Sequence, residues 1–268
     1  MTIEDHEPQI DSLTARFEAA EIAIAATLSR VAAGATAGQL RAAQAAVARE
    51  LAALLSDVVG WISANVPRMY RQSAENAAKS MVLRLPVGIF EERLRQPVHT
   101  ESLQLLAEDL LADMARATDE MSKDARKRLR EIGRRQLRKT MERTNPVSRV
   151  RDFRAEMEEH GVVFTDRSGR RWKASRYARL VLLTQSGAIL NTASINTGLQ
   201  FGSPGVRVSD GDYDVVCRRA RGQAWSLNFA LRNLLHHPHC KRSFAPLSPA
   251  WQGRLDRVME GESREVVA

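Results

Sequence analysis

A chain of 268 residues is long enough to bury a sizeable core, and with aromatics at 5% and abundant Ala, Leu and Arg it favours helix over an all-β sandwich. Two cysteines do not make a disulfide framework, no apolar run reaches the length of a membrane span, and the acidic start (Glu4, Asp5, Glu7) lacks the layout of a secretion signal, so an intracellular soluble protein is expected. The formal net charge of +8 is uneven: residues 1–122 carry 11 basic against 17 acidic side chains, residues 123–154 carry 13 against 4, and residues 155–268 carry 16 against 11.

Residues 11–33 read as an amphipathic helix, with Asp11 as N-cap, Leu13, Phe17, Ile24 and Leu28 at helical spacing and Gly34 to end it. Thr36 and Gln39 have the form of a capping box opening a second helix through Leu40, Val47, Leu51, Leu54, Val58 and Trp61. Pro67 suits the first turn of a third helix, which runs to about Arg84 before Leu85-Pro86 interrupts it. A further helix starts near Thr100 with Leu103, Leu106, Leu110, Met114 and Met121. It continues through Leu129, Leu137 and Met141 to the stop at Asn145-Pro146. Beyond Lys123 its apolar stripe thins among arginines, which predicts an exposed half.

After Pro146 the pattern changes. Val162–Thr165 and Arg170–Trp172 around a Gly-containing turn predict a β-hairpin. Ser175 caps a helix carrying Tyr177, Leu180, Val181, Thr184 and Ile189, which ends near Gly198 or Gly202; residues 205–209 and 224–227 read as short strands. The fold class is therefore mostly α, a helical N-terminal region followed by a small α+β C-terminal domain. The segments are a helical region at 1–145 (acidic bundle 1–122, basic helix 123–145), an α+β domain at 146–250 and a polar tail at 251–268.

Two constellations carry chemistry. Asp214-x-x-Cys217 and His237-x-x-Cys240 have the layout of two metal-binding knuckles about twenty residues apart, and thiolate, imidazole and carboxylate together suit a structural zinc. His236 and His239 compete as ligands, and a metal-free thiol pair or a disulfide would be compatible with the same spacing. A nuclease centre built from Asp210, Asp212, His237 and His239 is a third, weaker use of the segment. The other constellation is the basic run Lys123, Arg126, Lys127, Arg128, Arg130, Arg134, Arg135, Arg138, Lys139 and Arg143. Such a stripe suits sequence-independent contact with phosphates, or docking on an acidic protein surface, and no interleaved aromatics suggest single-strand stacking. Phosphate-binding glycine loops, His-Glu-x-x-His and Gly-x-Ser-x-Gly are absent, so an enzyme of a common class is not the leading reading.

The order Asp166-x-Ser168-Gly169-Arg170-Arg171-Trp172, Tyr177-Ala178-Arg179-Leu180-Val181, Thr184, Val206-Arg207-Val208-Ser209-Asp210, Asp214-x-x-Cys217-Arg218, Gly222, Trp225-Ser226-Leu227 and His237-Pro238-His239-Cys240-Lys241-Arg242 resembles the tailed-phage minor capsid proteins of the phage Mu F-like head morphogenesis group. The resemblance covers about residues 160–247, and its most specific part is the His-Pro-x-Cys element. It implies a structural role inside the virion head, at the portal vertex, with portal, capsid and scaffold proteins and packaged double-stranded DNA as partners. It also implies assembly in the bacterial cytoplasm, with no catalysis and no membrane. Members often carry a second cysteine three residues before the one matching Cys217; Asp214 stands there, so Asp214 or His239 would have to replace that thiolate. The alternative is a cytoplasmic nucleic-acid-binding protein with a metal-braced module.

Overall fold

Burial follows the helical spacing of the apolar residues in a computed structural model that describes residues 3–32, 35–81, 87–141, 163–165, 171–210, 213–238 and 240–251. After a short 3-10 turn the elements are α1 (Glu7–Ala32), α2 (Ala37–Ser80), α3 (Val87–Leu94), α4 (Pro97–Met141), the hairpin β1 (Val163–Thr165) and β2 (Arg171–Lys173), and α5 (Ala174–Gln200). There follow β3 (Val206–Ser209), α6 (Val215–Ala220), β4 (Ala224–Trp225), α7 (Leu227–Arg232) and β5 (Ser243–Pro246). The chain is thus mostly α, with helices first and a small three-stranded antiparallel sheet near the C-terminus. Among the described residues, no helix is long and apolar enough to cross a membrane.

Contacts divide the described residues into two compact units, one drawn from Met1–Gln9, Ile62–Leu110 and Leu180–Ala268, the other from Ile10–Trp61 and Leu111–Arg179. This division is discontinuous in sequence, unlike the linear segments 1–145, 146–250 and 251–268, because α2, α4 and α5 each contribute to both units.

In the second unit, Leu13, Phe17, Ile24 and Leu28 of α1, Val47, Leu51, Leu54 and Val58 of α2, and Met114, Met121, Ala125 and Ile132 of α4 are buried. Each large apolar side chain removed from water contributes on the order of 1.5–3 kcal/mol. The capping box forms as expected: the Gln39 N–H donates to Thr36 Oγ1 at 3.3 Å, and the Thr36 N–H donates to Gln39 Oε1 at 2.8 Å. Arg16 joins α1 to α2 by donating to Glu50 at 2.8 Å and Asp57 at 2.6 Å.

Several expectations are corrected. Asp11 lies inside α1, not at its cap, and pairs with Arg179 at 2.9 Å. Pro67 does not begin a helix; α2 runs straight through it. An internal proline costs about 3 kcal/mol, and the burial of Ile62, Val66, Met69 and Tyr70 on either side outweighs it. α4 begins with Pro97 at its first position, where the missing N–H is harmless. Ser175 is not a cap: its N–H and hydroxyl donate to the Glu21 carboxylate at 3.2 and 2.9 Å. The basic half of α4 is not exposed all round, since Ala125, Arg128, Leu129 and Ile132 are buried. Gly34, the Leu85-Pro86 break, the hairpin turn, residues 142–162 and the tail from 252 lie outside the described residues.

In the first unit, β3 pairs with β4 and β5, and Val206, Val208, Trp225 and Phe244 pack with Ile195 and Ala230 into one core. α5 ends at Gly202, whose φ of +69° is the left-handed value that glycine accepts without a Cβ penalty. The Ser203 N–H donates to Gly198 O at 2.8 Å and the Gly202 N–H to Leu199 O at 3.2 Å, which together make a Schellman motif. Gly198 is also a contact glycine, because a Cβ there would sit 3.2 Å from Pro246 of β5.

A buried polar relay ties α2, α4 and α5 in the same unit. Asn196 Nδ2 lies within hydrogen-bond distance of Tyr70 Oη (2.9 Å), Val98 O (2.8 Å) and Ser102 Oγ (2.9 Å), its two hydrogens shared among the three, while His99 lies 3.0 Å from Tyr70 Oη through Nδ1 and 3.1 Å from Gln200 Oε1 through Nε2. Gln200 Nε2 donates to Arg93 O at 2.9 Å, which turns its Oε1 toward the imidazole. His99 therefore carries its proton on Nε2 and accepts from Tyr70, the arrangement of a neutral ring. Burial pulls the His99 pKa below 6.5 and pushes the Tyr70 hydroxyl up to about 12. His6 is likewise lowered by burial, and its Nε2 has no hydrogen-bond partner among the described residues.

Both histidines thus bind protons less readily folded than unfolded. Their contribution to stability is intact above pH 6.5 and is lost as the pH falls through their lowered folded values. The urea midpoint should drop between pH 7.5 and pH 5, and His99→Gln should reduce that drop. An acid sensitivity identical in the two proteins would remove His99 from this role.

Candidate metal centre

Asp214 opens α6. With extended backbone (φ −141°, ψ 179°) it is the N-cap, and its Oδ1 accepts the Cys217 N–H at 2.8 Å. The cap holds Cys217 in the first turn of α6 with its side chain inward, 1% exposed. Across from it, the Cys240 N–H donates to His237 O at 3.1 Å, closing a tight turn that brings His237 and Cys240 to the same side. Cys217 Sγ, His237 Nε2 and Cys240 Sγ all lie within 4.8 Å of one another, with 3.3 Å between Cys217 Sγ and His237 Nε2. Donor atoms around a tetrahedral zinc with these ligands stand about 3.3–3.8 Å apart, so the cluster is near ligand spacing. His237 Nδ1 donates to Pro238 O at 2.7 Å, which leaves the Nε2 lone pair facing the thiols. That is how backbone carbonyls orient metal-binding histidines. These three side chains could hold a metal ion.

The expected fourth ligand does something else. Asp214 spends one oxygen on the cap, and its other oxygen is 3.7 Å from His237 Nε2 and equally 3.7 Å from His236 Nε2, outside the tight donor group. The Cys217 N–H bond lowers its pKa further. His239, the alternative ligand, and Asp212 lie outside the described residues.

Asp210 is the acid that sequence reasoning placed only in the nuclease reading. Register pairs Ser209 with Ser243 across β3 and β5, which sets Asp210 beside Arg242. Arg242 Nε donates to Asp210 Oδ2 at 2.7 Å between side chains 2% and 0% exposed, and Cys240 Sγ lies 3.8 Å from Asp210 Oδ1. Arg242 also donates to Asn233 O at 2.9 Å and covers the Trp225 ring at 4.9 Å. Without a metal, burial first, then the neighbouring Cys240 and Asp210, push the Cys217 thiol up to about 12. Both cysteines are free and buried. A thiol held protonated is a poor nucleophile, and binding a metal there must release its proton.

Removing the cap by Asp214→Ala should cost about 1 kcal/mol, read by urea melts, whereas Asp214→Ser should keep both the cap and any bound metal. Loss of metal on Asp214→Ser would make Asp214 a ligand after all.

The basic helix divides by face. Lys123, Arg126, Lys127, Arg130, Arg134 and Arg135 are exposed, and the first five share one strip of α4. Lys123 is held by Asp119 at 2.8 Å and Glu120 at 2.7 Å, which raise its pKa. Arg128 leaves the set: it is 6% exposed and donates to Asp124 at 2.8 Å. Arg138 and Lys139 fall on the last turns of α4, and Arg143 lies outside the described residues.

Comparison with family models, curated proteins and solved structures returned no match to this chain.

Proposed function

We propose that the chain is a structural minor capsid protein of a tailed phage or prophage, internal to the head and associated with the portal vertex, whose C-terminal module is braced by a structural zinc. The observation that carries this reading is the cluster of Cys217, His237 and Cys240 within 4.8 Å, in the segment on which the resemblance to head morphogenesis proteins rests. Cys217, His237 and Cys240 would hold the ion; Asp210 Oδ1 lies 3.8 Å from Cys240 Sγ but its carboxylate is paired with Arg242 and, like that of Asp214, stands outside this donor group. Zinc there would supply cross-linking alone, tying α6 to the 237–240 turn. Both cysteines are buried, in keeping with a structural role and with a protein that acts by binding.

On this reading the exposed Lys127 and Arg134, which lie outside the lining of the groove between α2 and α4, face packaged DNA through phosphate contacts that weaken with salt. The same cations favour the second reading, a cytoplasmic protein binding duplexes without sequence preference. Quantitative mass spectrometry of gradient-purified heads separates the two. Recovery of the chain at a few copies per head supports the first, and its absence from empty and filled heads overturns it.

A further inference from the structure

Two adjoining hollows in the second unit, of about 620 Å³ and 300 Å³, share Gln44, Arg126 and Leu129 and so form one groove between α2 and α4. On α2 it runs from Leu40 to Leu55, which at 1.5 Å per residue is about 22 Å, or some four helical turns. Its floor is apolar, made of Leu40, Val47, Leu51, Leu55 and Leu129. Small residues, Ala48 and Ala52 on one helix and Ala115 and Gly133 on the other, keep it open. The charge along it is mostly basic. Arg41, Lys123, Arg126 and Arg130 edge the wider end, and the single carboxylate in the lining, Asp119, is already held by Lys123 at 2.8 Å. Among the described residues no carboxylate pairs with Arg41, Arg126 or Arg130.

We infer that this groove docks an acidic amphipathic helix of a partner protein. A helix of about 15 residues matches its length, with apolar side chains at i, i+3, i+4 and i+7 entering the floor and carboxylates meeting the guanidinium groups at the rim. Charge complementarity selects the acidic partner, and the apolar floor selects a protein over a duplex. Phosphates meet cations that project into water and leave a concave apolar strip unfilled. Fully desolvated apolar anchors ringed by polar contacts supply most of the affinity in such interfaces. The inference stands whether or not the chain is a head protein.

The test uses the full-length protein and a fluorescein-labelled designed peptide of twenty residues, Leu at helical spacing on one face and Glu on its flanks. Its controls are a peptide of the same composition in shuffled order and a twenty-base-pair duplex. Anisotropy should show saturable one-to-one binding of the amphipathic peptide, with the shuffled peptide at least tenfold weaker. Arg126→Glu with Arg130→Glu should weaken binding at least tenfold. Ala48→Gln with Ala52→Gln, at exposed positions that tolerate longer helix-forming side chains, should do the same by filling the groove while leaving the thermal midpoint and helicity unchanged. Equal binding of the two peptides, or unchanged binding in the Ala48/Ala52 variant, overturns the proposal. So does a duplex that binds more tightly than the peptide and is lost only with the arginines, which would make the rim a nucleic-acid surface.

Discussion

Asp210→Asn should destabilise the folded chain by about 3–5 kcal/mol, because it leaves the guanidinium of Arg242 buried without its counter-charge. The pair sits between side chains 2% and 0% exposed, Arg242 Nη1 is already committed to Asn233 O, and the guanidinium covers the Trp225 ring. Its Nη2 has no partner among the described residues, so nothing nearby can take up the lost charge. The measurement is a urea melt in the presence of EDTA, which separates the ion pair from any metal held by Cys217, His237 and Cys240. The paired change Asp210→Leu with Arg242→Met should recover much of the loss, since a buried ion pair replaced by apolar groups of similar size is often neutral. A single variant within about 0.5 kcal/mol of the parent would mean that water reaches the pair.

Asn196→Ala should cost roughly 2–4 kcal/mol, the price of leaving the Val98 carbonyl and the Tyr70 hydroxyl without a donor in the interior. One side chain there serves Val98, Ser102 and Tyr70, all within 2.9 Å, and so fastens α5 to α2 and the start of α4. The relay onward through His99 to Gln200 would lose its orientation as well. Tyr70→Phe removes one hydroxyl from the same relay and should cost less, about 1 kcal/mol. Thermal melts at pH 7.5 read both variants, and equal losses would show that the relay acts as a single unit.

Much of this architecture can be read in the residues. The Thr36/Gln39 capping box, the hairpin, the span of α5 and its end at Gly202 follow from local chemistry that needs no tertiary information. Other parts do not. Pro67 looks like a helix start because the packing that carries α2 through it comes from distant residues. The basic half of α4 reads as exposed because Ala125, Leu129 and Ile132, one narrow buried face, are diluted among cations. β5 is four residues ending in proline, too short to show a period, and without it the link from Asp210 to Arg242 cannot be seen. Asp214-x-x-Cys217 misleads for a physical reason: two intervening residues separate a metal-ligand pair in a knuckle and equally an N-cap from the third helical residue it serves. The structure uses the second spacing. Cys217, His237 and Cys240 do come together as the spacing suggested.

The reading of the C-terminal module as a metal-braced part of an assembly protein rests on those three side chains. Its most direct test is elemental analysis of the protein purified without chelator, alongside a count of free thiols after denaturation. One zinc per chain with two reduced cysteines, falling to none in Cys240→Ser, is the expected result. Metal-free protein with two reduced cysteines, or one in which Cys217 and Cys240 are joined as a disulfide, would contradict it.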